Sequence, residues 1–390
     1  MALTRGIQGN RSSTAAKPIK MESALPIGLV LLANAEPKQY YFDSPKKALE
    51  YFKSESSFFK KEKSTGGNWE KYLNLWEDRF PTTVPVLISM AKIGEGKTKE
   101  AVEKDQKSNV LTAITAMKNF TAEFGIQPDV TAVADYPRDI NVLKSLDVIN
   151  QFYKSRSWYD IDTEKGSDAA KFKDEVDSER ISMVNSALGT FNTVTKSNEW
   201  YDAGVVMAFH RAYTDSKKEF AWFDSISNLS INMDSVKYPV SYHDGLDETD
   251  GYADKQIWTF IKDGGIRPWG SDYTCSNNPI WRNGSRVRLV DLAIKAIRKE
   301  LRDSIDKDLS ELTVVKKSLS AFKNGLIGQG VLLGGEIELD LEKTTPVEIT
   351  AGNFYFIFDF QDTPKARKIV VRMNYTDEYS AVAYKILQEA

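Results

Sequence analysis

The stretch IKDGGIRPWGSDYTCSNNPIW, residues 261–281, separates two different sequence patterns. Before it, apolar runs that read as buried strands alternate with helical segments, which is typical of an α/β layer. After it come a long helical region and then strands of alternating polarity. The change predicts two domains, an outer α/β domain over residues 21–260 and a C-terminal α+β domain over residues 261–390.

Downstream of this stretch, helical spacing of apolar residues extends from Trp281 to about Phe322. Three segments then read as strands, VLLGGEIELDL, FYFIFDF and KIVVRMNY, and a short helix follows them. We place the last predicted strand at residues 368–375, beyond a turn that contains Pro364.

Upstream, the pattern alternates strand with helix. Residues 27–33 are nearly all apolar and predict a central strand, and Asp43 or Ser44 with Pro45 predicts the start of a helix. Further strands are predicted in VPVLISM, DVTAVADYP and VVMAFH, with a helix over residues 110–124 that ends at Gly125. Residues 159–180 are highly charged and predict a solvated loop or surface helix.

The N-terminal residues 1–20 are small and polar and show no helical period, so we expect an extended arm that obtains its order from another surface. The apolar stretch SALPIGLVLLANA behind them imitates a secretory signal. Because Pro26 and Gly28 interrupt that stretch, a buried strand preceded by an arm is the better interpretation.

Composition excludes several classes of protein. The 390 residues are 41% hydrophobic and 27% charged, with a formal net charge of −3, so no overall charge attracts nucleic acid or an acidic membrane. One cysteine and two histidines leave little material for a zinc site or for Cys/His catalysis. No apolar run is long enough for a membrane anchor. We expect no catalytic residues, no metal and no cofactor.

The stretch AKIGEGKT, residues 91–98, matches a phosphate-binding loop and follows a predicted strand. The next segment, KEAVEKDQKSN, is too polar to pack against a sheet as the helix of a nucleotide-binding fold must. A magnesium carboxylate would have to come from Asp135 or Asp215. We interpret the stretch as a surface turn with Lys97 in solvent, and keep a P-loop NTPase of an assembly machine as the alternative.

Basic residues gather between Trp281 and Arg302 and again in the next predicted helix. On a helical projection Arg288 and Lys295 fall mainly outside the apolar face. The set is either a solvated helix face or a contact with an acidic protein surface. The candidates for such a contact are Arg298, Lys299, Lys316, Lys317 and Lys323.

The order of features after residue 261 resembles the tail sheath proteins of contractile bacteriophages of the P2-like group and of R-type pyocins. A glycine turn precedes a Trp-Gly pair, then a Thr-x-Ser step and a helix that begins Arg-x-Arg. The motif residues here are Gly265, Trp269, Gly270, Thr274 and Ser276. The resemblance covers the last third of the chain well and the rest in pattern only.

The resemblance implies a structural subunit and not an enzyme. Such subunits stack as helical rings, which we expect to be six-fold, around an inner tail tube protein, and they meet baseplate and tail terminator proteins. Contraction drives the tube through a cell envelope. The resemblance places the chain in a virion tail or an extracellular contractile particle, assembled in the bacterial host cytoplasm. Neither nucleic acid nor a membrane anchor is expected as a partner.

In that family neighbouring subunits exchange terminal strands. The predicted inter-subunit arm residues are Leu3, Arg5, Gly6, Ile7 and Gln8, and the strand-exchange candidates are Ile369, Val370, Val371, Arg372 and Met373. An arm without a core of its own suits strand addition to an exposed sheet edge, where backbone hydrogen bonds provide the affinity. A head-to-tail contact that does not close on itself then gives a filament. We expect the basic candidates above to face the tube.

Overall fold

The computed structural model describes residues 16–21, 25–55, 67–217, 221–241, 248–270, 272–307, 309–367 and 369–389. The strands are β1 Ile27–Ala33, β2 Lys38–Phe42, β3 Val86–Lys92, β4 Val130–Val133, β5 Ser157–Asp160, β6 Ile181–Val184, β7 Leu188–Asn192, β8 Ser197–Tyr201, β9 Ser235–Val236, β10 Ile257–Lys262, β11 Ile266–Trp269, β12 Leu332–Leu339 and β13 Phe356–Asp362. The helices are α1 Pro45–Ser54, α2 Trp69–Arg79, α3 Lys99–Ala116, α4 Phe120–Phe124, α5 Ile140–Tyr153, α6 Gly166–Asp174, α7 Ala203–Asp215, α8 Glu248–Asp254, α9 Gly284–Glu300, α10 Glu311–Gly328, α11 Pro346–Thr350 and α12 Ser380–Glu389.

The first sheet confirms the predicted α/β layer. Its strand order is β2-β3-β1-β4, with β1 parallel to β3 and β4 and with β2 antiparallel on the edge. Every residue of β1 is buried, because helices cover both faces of a central parallel strand. The sequence located β1 to the residue, and it also located the start of α1, where Ser44 caps the helix and Pro45 follows.

The second sheet has the strand order β11-β10-β6-β5. Strand β10 is parallel to β6 and antiparallel to β11, so it joins the α/β half to the turn-rich stretch. The boundary predicted near residue 260 falls within β10. A division of the chain at that residue would cut this sheet, so residues on both sides of it share one hydrogen-bonded layer.

The C-terminal helices and the β12-β13 hairpin enclose a separate apolar cluster. It contains Leu289 and Leu292 of α9, Phe322 and Leu326 of α10, and Leu332 of β12. Leu25, Trp222 and Phe223 complete it. The chain therefore contributes residues from both sides of residue 260 to the C-terminal core.

Two of the predicted elements in the first half differ from the structure. VVMAFH is not a strand but part of α7, whose residues from Ala203 to Ala212 are all buried. A continuous apolar run carries no period that separates a strand from a helix buried on all sides. Residues 159–180, predicted as a solvated loop or surface helix, do contain a helix with an exposed side, α6, but Tyr159 and Ile161 at their start are buried.

The boundaries of the helices also differ from the predicted ones. The region predicted from Trp281 to Phe322 is two helices, α9 and α10, separated by residues 301–310. The two segments around residue 109 are instead one helix, α3. Its first half is polar and exposed, whereas Val110, Ala113 and Ile114 in its second half are buried. Gly125 ends the following turn with φ 70°, as predicted.

The predicted strand KIVVRMNY also differs from the structure. The described residues 369–376 form no strand, and their large apolar side chains are exposed. A strand is stabilised by hydrogen bonds to a neighbouring strand, and these residues have no such neighbour within the described part of a single chain.

A buried ionic network fixes α9 to the α/β half. The Arg288 side chain is 4% exposed, and its Nη2 donates to Asp129 Oδ2 and to Asp215 Oδ2, both at 2.6 Å. Its Nη1 donates to the Trp222 carbonyl at 3.0 Å. Arg211 pairs with the same Asp215. Burial alone would raise the pKa of Asp129, but the charges of Arg288, Lys295 and Arg211 together with the Arg288 hydrogen bond outweigh it, and the pKa lies below its usual value.

Two further buried pairs repeat the pattern on either side. Arg180 Nη2 lies 2.7 Å from Asp291 Oδ1 on α9, and Arg156 Nη2 lies 2.8 Å from Asp272 Oδ1 just before it. The Arg156 guanidinium also stacks over the Trp158 ring, with its Cζ 4.6 Å from the ring centroid. These contacts fix the position of α9 relative to both sheets.

Removal of Arg288 tests this junction. We expect Arg288→Ala to lower the free energy of unfolding by about 3–5 kcal/mol, because Asp129 and Asp215 remain buried without their partner. Denaturant unfolding measures the change. Arg298→Ala, on the exposed face of the same helix, is the matched control and should change it by less than about 0.5 kcal/mol. Equal effects of the two variants would contradict the assignment.

Candidate assembly interface

The turn at residues 94–98 uses its own polar groups. The backbone N–H of Glu95 donates to Asp105 Oδ2 at 2.9 Å, and that of Gly94 donates to Gln106 Oε1 at 3.5 Å. Both acceptors lie on α3, so they occupy amides that a phosphate-binding loop would offer to its ligand, and Asp105 adds a negative charge. Lys97 is exposed, as predicted.

Neither carboxylate considered for magnesium is available to this turn. Asp215 is buried in the Arg288 network. Asp135 accepts hydrogen bonds from Asn68 Nδ2 and the Tyr72 hydroxyl, both at 2.9 Å. Two amides of the turn are therefore already bonded within the chain, and neither candidate carboxylate reaches it.

A second enzyme-like feature is a group of carboxylates at the carboxyl ends of β4 and β5, where parallel sheets commonly bind ligands. Asp160 accepts from the backbone N–H groups of Asp162 and Ala203, both at 2.8 Å. Asp202 accepts from the backbone N–H of Asp135 at 2.5 Å. The carboxylates therefore bind the first residue of α7 and the turns after the two strands. Among the described residues no group of three or more His, Cys, Asp or Glu is arranged to hold a metal ion.

Burial and mutual repulsion shift these carboxyls. Burial raises the pKa of Asp202 to about 7, and the nearby Asp135 charge adds to the shift. Burial, followed by the Asp202 charge, raises the pKa of Asp160 well above its usual value. Protonation near neutral pH removes part of this repulsion.

The histidine and cysteine in the described part of the chain are both structural. Burial lowers the pKa of His210 to about 3, so it is neutral at physiological pH. Burial raises the pKa of Cys275 to about 12, so its thiol is not a nucleophile. Neither residue supports a catalytic site.

The β12-β13 hairpin has an edge to which a further strand can bind. The pair is a two-stranded antiparallel sheet with no third strand in the described chain. Residues of α10 lie against β12, which leaves β13 as the more open edge. An open edge presents unpaired backbone N–H and C=O groups that can bind another strand.

Beneath the hairpin lies an apolar groove of about 230 Å³. We call it the α9 groove. It is lined by Leu289, Val290, Ala293, Ile294 and Ile297 of α9, by Leu326 of α10, and by Leu332, Phe358 and Phe360 of the hairpin. The edge of β13 and this groove together form a surface suited to one more strand with an apolar inner face.

The C-terminal arm, residues 363–389, supplies such a segment. Ile369, Val371 and Met373 are 81%, 76% and 91% exposed. The arm ends in α12, which has no buried residue although Val382 and Ile386 lie one helical turn apart. Both parts of the arm carry apolar side chains that no other described residue covers.

The described root of the N-terminal arm lies on the C-terminal helices. Lys17 Nζ lies 2.5 Å from Glu311 Oε1, and its backbone N–H donates to Ser318 Oγ at 2.7 Å. Ile19 and Met21 pack against the C-terminal apolar cluster. The expected order from another surface is thus provided here by α10 for residues 16–21. The predicted arm residues Leu3, Arg5, Gly6, Ile7 and Gln8 lie outside the described residues.

The motif residues form the turn that leads into α9. Gly265 adopts φ 131°, and a Cβ on Gly270 would lie 2.1 Å from Trp258 Cδ2, so both positions require glycine. Trp269 pairs with Thr259 in the sheet. Thr274 is buried, and its hydroxyl donates to the Trp281 carbonyl at 3.0 Å. Ser276 Oγ accepts from the backbone N–H of Asn278. The motif positions α9 and takes no direct part in the α9 groove.

The basic residues of α9 and α10 form two groups, one on the surface and one that faces Asp129. Arg298 and Lys299 lie in the last turn of α9, and Lys316 and Lys317 lie on α10, all of them exposed, with Lys323 half-buried nearby on α10. Arg288 and Lys295 were expected on the solvated face, but Arg288 is buried and Lys295 is mostly covered, and both face Asp129. Sequence alone missed this because their partner lies far away along the chain. The one available signal was that Arg288 interrupts a run of apolar residues.

The described chain thus combines a body fixed by buried ion pairs, an open sheet edge and an exposed apolar arm, which are features typical of a subunit that binds copies of itself. The search against protein-family models found no match. Among curated proteins the chain is 24% identical over 302 residues to a "putative prophage major tail sheath protein" of Pseudomonas aeruginosa strain UCBPP-PA14, covering 76% of this chain and 77% of that protein.

The solved structures give the same result for the fold. The helical sheath of the anti-feeding prophage in its contracted state matches with a TM-score of 0.67 at 16% identity, over 96% of this chain and 100% of that chain. The PVC sheath complex of an extracellular contractile injection system, also contracted, matches with a TM-score of 0.69 at 12% identity, over 97% and 99%. The chain has the sheath fold, and these similarities support a contractile tail sheath protein. They do not support a P-loop hydrolase.

In the described chain no helix is long and apolar enough to cross a membrane.

Substitution of Lys97 tests the turn at residues 94–98. We expect Lys97→Ala to change the free energy of unfolding by less than about 0.5 kcal/mol, because the side chain is exposed. Calorimetric titration with Mg-ATP should detect no binding to either protein. Tight binding that Lys97→Ala abolishes would contradict the structural interpretation.

The carboxylate group predicts a pH dependence. The pKa of Asp202 is about 7 in the folded chain and about 4 when unfolded, so the folded state binds the extra proton between these values. Its contribution to stability is present at low pH and is lost as the pH rises toward 7. We therefore expect Asp202→Asn to become progressively more stable than the wild type as the pH rises from about 5 to 8. Thermal unfolding across that range measures the difference, and a constant difference would refute it.

Proposed function

We propose that this chain is the structural subunit of a contractile sheath, polymerising as stacked helical rings around an inner tube and contracting to drive that tube through a cell envelope. The observation that carries the proposal is the combination, in one chain, of an open β13 edge above the α9 groove and an exposed apolar arm. The β13 edge and the α9 groove can accept a strand with an apolar face, and the arm carries such a segment. The similarity to sheath proteins supports this interpretation.

We propose that the arm of one copy adds a strand to the hairpin of another. Residues 369–373 are the candidate strand, and the N-terminal arm residues 3–8 are a second one. Backbone hydrogen bonds to an open edge provide affinity with little demand on side chains. Because donor and acceptor are different surfaces, each copy can bind the next without closure, and a helical assembly results.

The remaining features of the proposal concern partners. Six-fold rings, a baseplate and a tail terminator follow from the resemblance to phage sheaths. The exposed basic side chains of Arg298, Lys299, Lys316 and Lys317, with Lys323, suit weak contacts with an acidic tube surface, since exposed ion pairs contribute little each and break readily. We also propose an outer α/β part and a C-terminal part that carries the assembly contacts. Such a particle is a phage tail or an extracellular device, assembled in the bacterial cytoplasm.

The source of energy in this proposal is the set of subunit interfaces. Contraction is then a change between two packings of rigid bodies, with the extended packing trapped kinetically. The arm, with 17 residues between β13 and α12, can span up to about 55 Å when extended. It can therefore keep two copies joined while their bodies move.

Electron microscopy of the purified chain tests the function. We expect ordered tubes from the wild type and none from a variant lacking residues 363–390. A second variant lacking residues 1–15 keeps Lys17 and its contacts to α10, so it tests the N-terminal arm without disturbing its root. We expect shortened or absent tubes from it. Circular dichroism should show that both variants are folded, and size-exclusion chromatography should show a monomer for the variant lacking residues 363–390. Unchanged tubes without residues 363–390 would overturn the proposal.

A further inference from the structure

The outward face of the β12-β13 hairpin has an unfavourable arrangement of charge. Glu336 stands directly opposite Asp359 in the antiparallel register, and both side chains are exposed. Glu338 lies two residues along the same strand, on the same face. We call these three side chains the acidic row. Like charges directly opposite each other destabilise a strand pair.

No cation within the described chain relieves this repulsion. The ion pairs of the described residues include none to Glu336, Glu338 or Asp359. The basic side chain on the strand-exchange segment, Arg372, makes only a local hydrogen bond from Nε to Asn374 Oδ1 at 3.2 Å. A row of carboxylates and an exposed guanidinium are therefore both left to solvent.

The segment has the alternation that the hairpin surface requires. In an extended strand Ile369, Val371 and Met373 share one face, and Arg372 projects from the other. A strand along β13 with its apolar face on the α9 groove would place Arg372 outward, beside Asp359 and one strand away from Glu336. The groove and the acidic row thus bind opposite faces of the segment and favour the same orientation of it.

The first residues of the arm are bound to the body of their own chain. Just after β13, the Thr363 N–H donates to the Val331 carbonyl at 3.0 Å. Lys365 Nζ lies 3.9 Å from the centroid of the Phe223 ring and 3.4 Å from Asp224 Oδ1. Arg367 Cζ lies 4.6 Å from the centroid of the Tyr273 ring. These contacts hold the root of the arm on the body, so its strand is free for another copy.

We propose that Arg372 of a second copy of this chain binds the acidic row at Asp359 and Glu336 and thereby sets the register of the exchanged strand. This inference rests on the proposed strand exchange. A shift by one residue turns every side chain to the opposite face, so it would bury Arg372 in the apolar groove and expose Val371 and Met373. A shift by two residues keeps the apolar face on the groove but moves Arg372 away from Asp359, so the charge pair distinguishes registers that apolar burial does not.

A charge exchange tests the pairing in the full chain. Arg372→Asp and Asp359→Arg should each raise the critical concentration for tube formation roughly tenfold, because an attraction becomes a repulsion. The double variant restores opposite charges and should return to within about threefold of the wild type. Sedimentation of assembled tubes at moderate ionic strength measures all of these values.

Matched controls reverse charges of the same sign elsewhere. Lys385→Glu on α12 and Glu342→Lys beyond β12 should leave the critical concentration within about threefold of the wild type. Asp359→Arg removes a like-charge pair, so the isolated chain should be at least as stable as the wild type while it assembles less readily. Arg372→Asp lies on the exposed arm, where it does not disturb the folded body.

The outcomes separate the two proposals. If the wild type forms no tubes, the proposed function fails. If the wild type forms tubes and the single variants match the controls, or if the double variant shows no recovery, the role of Arg372 is overturned.

Discussion

The rest of the structure depends on one buried guanidinium. Arg288 joins Asp129, at the entry to β4, and Asp215, at the end of α7, to the first turns of α9. Buried charges of this kind are tolerated only when each is paired and hydrogen-bonded, so the three side chains permit a single placement of the helix. The α9 groove, the hairpin above it and the root of the arm all take their positions from that helix.

Within the described chain, buried arginines are paired in the body, whereas like charges stand unpaired on the hairpin of the assembly surface. Within the body, Arg156, Arg180 and Arg288 each have a buried carboxylate partner. At the hairpin, a sheet edge stays open and like charges face each other across β12 and β13. An open edge is a hazard in an isolated protein because it invites uncontrolled pairing. In a subunit that must join identical copies, the same edge is a binding site.

The features that resemble enzyme sites share one physical property: their polar groups are already used. Side chains of α3 accept hydrogen bonds from two amides of the turn, those of Gly94 and Glu95. The carboxylates beyond β4 and β5 accept backbone N–H groups at the start of α7 and in the adjacent turns. A site for substrate or nucleotide needs unsatisfied groups directed at a cavity, and here the groups bind their own backbone. Interfaces between subunits provide the energy in our proposal, and none of these groups is needed for it.

The sequence by itself determined the elements whose signals are local. The nearly continuous apolar run at residues 27–33 predicted β1, and Ser44 with Pro45 predicted the start of α1. The glycine turns around Trp269 carried the family resemblance. Only the tertiary structure decided that VVMAFH is helical, because an apolar run buried on all sides has no distinguishing period. Only the tertiary structure showed that Arg288 pairs with Asp129 and Asp215, which precede it in the sequence by 159 and 73 positions. The exposed state of residues 369–376 was decided at the same level, because a strand exists only where a second strand accepts its hydrogen bonds.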